Sequence, residues 1–147
     1  MIIKEFILIS KEDNGTFPQL KCIAKHKMLF DEMYLYYHHN NYEFEYLFFG
    51  DILKLQNNFI EQCYIMSYDG TNNPIGVFKV SSGGKNENSI YLDNIFTYLL
   101  LSGSKSFISI HNHPNNIIKK SFNDSLIDNS IKEISELLNF EYKDGLV

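Results

Sequence analysis

The stretch SFISIHNHPNNIIKKSFNDSLIDNSIKEISELL, residues 106–138, decides the fold. Its opening, Ser106 to Ile110, is short and apolar and predicts a buried strand. Its close, Ser121 to Leu138, predicts a helix with Phe122, Leu126, Ile127, Ile131, Ile134 and Leu138 on one apolar stripe. His111 and His113 stand two apart at the strand's end. Side chains at i and i+2 of an extended segment leave on the same face, so both imidazoles can reach one ion. Pro114 cannot continue a central ladder and forces a loop. Seven residues, Pro114 to Lys120, carry the chain back to a helix start at Ser121. Asp124 falls in the first turn, where the helix dipole favours a carboxylate. Two histidines and a carboxylate leave a fourth position for water, the pattern of a catalytic zinc site rather than a closed structural one. Each half has a plainer reading as well. Ser121-x-x-Asp124 fits a capping arrangement, and an isolated His-x-His is commonly a polar turn. The two halves at this spacing, across a strand–loop–helix junction, favour the metal.

Upstream, Leu92 to Leu101 carries apolar residues at 92, 95, 96, 99 and 100, a helical spacing, and Gly103 suits a helix stop. Glu61 to Tyr68 alternates, with Gln62, Tyr64, Met66 and Tyr68 on one face and Glu61, Cys63, Ile65 and Ser67 on the other. Asp69-Gly70-Thr71-Asn72-Asn73-Pro74 is a turn by composition, and Ile75 to Val80 returns as an antiparallel partner. A polar loop with Gly83 and Gly84 follows. At the start of the chain, Ile2 to Ser10 reads as a strand, Glu12-Asp13-Asn14-Gly15 as a turn, and Gln19 to Met28 as the hairpin partner. The Tyr- and Phe-dense run from Phe30 to Phe49 fits a helix or a strand–helix pair. Within it His38-His39 reads as a loop or surface pair, because adjacent side chains point in different directions. Phe140 to Val147 is strand-like. The order predicts an α/β (α+β) domain with a mixed central sheet flanked by helices.

Composition bounds the function. The chain has 147 residues, 44% of them hydrophobic, and a formal charge of −5, which fits one domain with a real core. All 13 positive side chains are lysines, with no arginine. A nucleic-acid binder usually presents a basic stripe and favours arginine for bidentate contacts, so direct nucleic-acid binding is not expected. No apolar run approaches the ~20 residues that cross a bilayer. MIIKEFILIS carries Lys4 and Glu5 inside its apolar stretch and reads as a strand rather than a signal peptide. Cys22 and Cys63 form no CxxC unit and read as two core thiols in a reducing cytosol. A cytoplasmic protein is the expectation.

His111-x-His113, seven residues, Ser121-x-x-Asp124 resembles the signature of the JAB/MPN metalloproteins, also called JAMM. The spelling HNHP looks like the bacterial RadC branch. Supporting stretches are Asn72-Asn73-Pro74-Ile75-Gly76-Val77-Phe78, Val80-Ser81-Ser82-Gly83 and Leu100-Leu101-Ser102-Gly103. The family also has a glutamate on an early strand, and Glu61 matches that position. The plainer reading of Glu61 is a charged residue opening a strand. The resemblance runs from about Gly50 to the C-terminus. It implies a JAB/RadC-like metal-binding domain over 51–147 with a shortened last strand region, behind a β-rich lead-in over 1–50. Departures are Asn115-Asn116-Ile117 where the family has Ser-Gly-Asp, Lys120 where it has proline, Leu92-Asp93-Asn94 for Pro-Arg-Glu, and Asp144-Gly145 for a terminal Asp-His.

The architecture so implied is the JAB/MPN, cytidine-deaminase-like one. The activity implied is zinc-dependent cleavage of a peptide or isopeptide bond in a protein or peptide substrate. His111, His113 and Asp124 would hold Zn²⁺, Glu61 would act as general base, and Ser121 would donate its hydroxyl to the developing oxyanion. The RadC branch also carries a DNA-repair label, so an alternative is a nucleic-acid-associated accessory protein. A third is a metal-binding interaction domain without catalysis.

Overall fold

The computed structural model describes residues 1–9, 18–28, 42–82 and 92–147. The turn at 12–15, the His38-His39 pair and the loop with Gly83 and Gly84 lie outside them. Six strands form one mixed sheet: β1 (Ile2–Ile9), β2 (Gln19–Lys27), β3 (Gln62–Tyr68), β4 (Pro74–Ser82), β5 (Ser106–His111) and β6 (Glu141–Leu146). Their order across the sheet is β2-β1-β4-β3-β5-β6. Three α-helices accompany it among the described residues: α1 (Glu43–Leu47), α2 (Leu92–Ser102) and α3 (Phe122–Leu138). A π-helical turn (Phe48–Ile52) and a 3₁₀ turn (Leu55–Asn57) follow α1 directly. The fold class is the one the sequence predicts. None of the described helices is long and apolar enough to cross a membrane.

Alternation along β3 explains why the sheet is central. Tyr64, Met66 and Tyr68 enter one apolar cluster with Ile3, Phe44, Phe48, Phe49, Leu55 and Ile110. Cys63 and Ile65 enter a second, with Phe78, Ile95, Leu99, Phe107 and Ile131. Both faces of β3 are therefore buried, one under α1 and the turns after it, the other under α2 and α3. Tyr98 ties the second layer down. Its ring stacks on Phe78 at 4.8 Å, and its hydroxyl pairs with Ser67 Oγ at 2.7 Å. On the first side the buried Glu45 carboxylate accepts a hydrogen bond from Tyr68, while its Oε2 has no hydrogen-bond partner among the described residues.

The predicted hairpins are present. β3 and β4 pair antiparallel around the turn at 69–73, whose amides at Thr71 and Asn73 donate to Asp69 Oδ1. β1 and β2 pair antiparallel, and β1 then lies parallel to β4, with Lys4 opposite Gly76. That approach is close. A Cβ at position 76 would stand 2.5 Å from the Lys4 carbonyl oxygen and 2.6 Å from the Phe6 ring. Gly76→Ala should therefore cost about 1–3 kcal/mol, the usual cost of overpacking. Urea denaturation checks this, and an unchanged midpoint would mean that β1 does not dock at this point.

Three sequence expectations are corrected. The apolar stripe of α3 does not include all of its predicted members. Phe122 is 77% exposed, and Leu126 and Leu138 are also exposed. The inward face runs through Asp124, Ile127, Ile131, Ile134 and Ser135, because the helix is rotated to bring Asp124 toward the sheet's end. Leu100 is exposed, and Tyr98 takes its place in the core. Cys22 is not a core thiol. It is exposed on β2, the edge strand of the sheet among the described residues, whereas Cys63 is buried in the sheet.

Candidate metal centre

The site forms where β5 runs out. His111 is the last residue of β5 and pairs with Cys63 of β3. One step beyond that register, Asn112 fastens the two strands. Its Oδ1 accepts from the Gln62 amide at 2.8 Å, and its Nδ2 donates to the carbonyls of Asn58 and Ile60 at 3.2 and 3.3 Å. Those three bonds fix the backbone on both sides of Glu61. The alternation that sends His111 and His113 one way sends Asn112 the other, toward the start of β3. Sequence reasoning passed over Asn112. The only signal was its place between the two histidines.

The loop from Pro114 to Lys120 carries the chain to α3. Ser121 is the N-cap of that helix, and the capping box is complete. The Asp124 amide donates to Ser121 Oγ at 3.1 Å, and the Ser121 amide donates to Asp124 Oδ2 at 2.6 Å. Because Ser121 Oγ accepts in the cap, its own proton stays available to a further acceptor. Lys120 donates to Asp128 Oδ2 at 2.6 Å, in the second turn of α3. Asp128 Oδ1 accepts from Tyr142, whose hydroxyl also pairs with Ser109 of β5, both at 2.7 Å. The loop is thus tied to the sheet through an ion pair at Lys120.

Four donor-bearing side chains meet here: Glu61, His111, His113 and Asp124, with one ligand atom of each within 4.8 Å of the others. The two Nε2 atoms are 2.9 Å apart. Asp124 Oδ1 is 3.3 Å from His111 Nε2, and Oδ2 is 3.2 Å from His113 Nε2. Two ligands each ~2.1 Å from a tetrahedral ion stand about 3.4 Å apart, so these separations suit a shared cation. Side-chain exposure is only 11%, 13% and 10% for His111, His113 and Asp124.

Protonation agrees with that fit. His113 Nδ1 lies 2.6 Å from the Ile117 carbonyl oxygen, which can only accept. A proton on Nδ1 answers that carbonyl and leaves Nε2 facing the cluster. Burial lowers the His111 pKa below its ordinary value, against the opposing pull of Asp124, which favours a neutral ring. For Asp124, burial works upward, but the hydrogen bonds from Ser121 and the two imidazoles outweigh it, and the carboxyl lies below the usual range. Two imidazole lone pairs, one carboxylate and a second carboxylate alongside make a donor set that a divalent cation satisfies. Cys63, next to the site in sequence space, stays out of it. Burial first, then Glu61, Asp128 and Asp124, push its thiol up to about 12.

All five residues singled out in the sequence lie at this one place: the four donors as a cluster, Ser121 as the cap that holds Asp124. The Ile117 carbonyl that orients His113 had no sequence signal, since any residue supplies a carbonyl. A family model described as the RadC-like JAB domain matches residues 41–147. No curated protein matches the chain.

Proposed function

We propose, from the premise that this chain belongs to the RadC-like JAB domain family, that it is a zinc-dependent hydrolase cutting a peptide or isopeptide bond. The observation that carries this reading is the convergence of Glu61, His111, His113 and Asp124 beside an open cavity. His111, His113 and Asp124 would hold the ion. A bound divalent cation supplies Lewis acidity toward an amide carbonyl and acidifies water. Glu61 takes the proton of the attacking water and passes it to the leaving amine. Ser121 donates its hydroxyl proton as a hydrogen bond to the carbonyl oxygen as charge builds there. Asn112 keeps Glu61 in place through the backbone on either side of it. Lys119 lines the same cavity and suits it to the carboxylate product, while Lys120 is held by Asp128.

The net charge of −5 and the absence of arginine support a protein or peptide substrate over a nucleic acid. A cytoplasmic place of work is part of this reading. Protein purified without added zinc should carry about one zinc ion per chain, the stoichiometry of a single His₂-carboxylate site. It should also cleave members of a peptide and isopeptide panel. Chelation should stop the cleavage and zinc should restore it. Zinc without any cleavage would leave a metal-binding interaction domain, and no bound metal would end the reading.

A further inference from the structure

Among the described residues two cavities open on the cluster, and their chemistry differs. The first, about 530 Å³, is polar and holds Glu61, Lys119, Lys120, Ser121 and Asp124. The second, about 270 Å³, is walled by Tyr46, Phe49, Leu55, Ile110, Ile117 and Ile118, and shares His111 and His113 with the cluster. His113 and Ile117 line both, so the two adjoin at the site. Among the described residues, no Asp, Glu or Lys side chain lines the second cavity. Its floor belongs to the core, since Phe49, Leu55 and Ile110 are each buried. Gly50, in the π-helical turn, also lines it, and a Cβ added there would meet no heavy atom within 4 Å. Close in sequence to the site residues are apolar side chains that the fold leaves exposed. Phe59 is 97% exposed two residues before Glu61, Ile118 is 90% exposed three before Ser121, and Phe122 follows Ser121 directly.

We infer that the apolar cavity receives one aliphatic or aromatic side chain of a polypeptide substrate beside the bond that is cut, and that Gly50 keeps it open. The inference rests on the hydrolase reading for the words "bond that is cut" and on the cavity alone for the rest. The volume lies just below the usual small-molecule range, which suits a single side chain. Away from His111 and His113, a carboxylate, ammonium or phosphate would shed water against walls that offer it no opposite charge, which disfavours charged groups there. An apolar side chain loses nothing there and gains by leaving water. Ile118, which lines the cavity and is itself largely exposed, carries the apolar surface out to the mouth, where a peptide chain can run across it.

The test is a titration of ¹⁵N-labelled full-length chain, metal-free and zinc-loaded, with blocked pentapeptides Gly-Gly-X-Gly-Gly in which X is Leu, Phe, Ser or Asp. The Leu and Phe peptides should bind roughly tenfold or more tighter than the Ser peptide, the factor expected for burying such a side chain. The Asp peptide should be weakest. Amide shifts should centre on Gly50, Ile117 and Ile118. Gly50→Leu should erase the preference while leaving melting temperature and zinc content unchanged. Ile118 is so exposed that Ile118→Ser cannot unfold the chain, and it should weaken the Leu and Phe peptides several-fold while sparing the Ser peptide. Equal affinity for all four peptides, no measurable binding of any, or a preference that survives both variants would overturn the inference. A Leu preference in zinc-loaded protein that never cleaves would sink the hydrolase reading alone. Cleavage without a preference would sink the cavity's role alone.

Discussion

His113→Ala is expected to strip the ion from the protein while the fold persists. The ring lies on the loop beyond β5, outside both apolar clusters, so its removal opens no core cavity. Its loss leaves His111 and Asp124 as ligands, with Glu61 alongside. Four-ligand zinc peptides are held by ~10–16 kcal/mol, so a ligand carries on the order of 3 kcal/mol, and losing one should weaken binding at least about a hundredfold. The substitution also frees the Ile117 carbonyl, which now orients the loop. Metal per chain after dialysis against a weak chelator, read beside a thermal melt, checks this. Parent-like zinc content in the variant would show that the ion sits elsewhere.

Glu61→Gln should give the opposite pattern: zinc retained, hydrolysis lost. Gln keeps the size of the side chain and its hydrogen bonding but cannot take a proton from water at neutral pH. Loss of a general base typically costs ~10²–10⁴ in rate. The backbone around position 61 is held by Asn112 and does not depend on the carboxylate, so the other groups should stay where they are. The readout is kcat for a cleaved peptide beside metal content. Parent-like turnover in Glu61→Gln with a dead His113→Ala variant would mean that the metal matters and the base is another group.

Much of this was legible in residues, and the reasons are physical. Strand alternation at 61–68 and the turn at 69–74 are local signals, and they yield the β3–β4 pairing directly. The helix at 92–102 and its stop at Gly103, where φ is +70°, are equally local. His111, His113 and Asp124 were readable because two short-range geometries, strand end and helix start, place them on either side of one loop. The rotation of α3 was not. Phe122 and Leu126 extend the apolar spacing, and only the tether of Asp124 to the sheet's end tells which stripe faces in. Nor does spacing reveal that β2 ends the described sheet, with Cys22 exposed on it. The π-helical turn at Phe48–Ile52 has no sequence signature in an aromatic-rich run, and with it the wall of the apolar cavity went unseen. The parallel placement of β1 against β4 is a long-range choice, written only in the small size of Gly76.

That last pairing has a kinetic consequence. The β3–β4 hairpin closes over a handful of residues and can form within microseconds. Lys4 meets Gly76 only across 72 positions of chain, and Glu61 meets the histidine strand across 50, from Cys63 pairing with His111 at 48. Loop-closure entropy must be met before either long-range contact returns anything, which slows the steps that make them. The β1–β2 hairpin can therefore form as a separate local unit and join the sheet after β4 exists. During synthesis Glu61 emerges long before the histidines and Asp124, so the cluster closes only once β5 and the start of α3 have come back to β3.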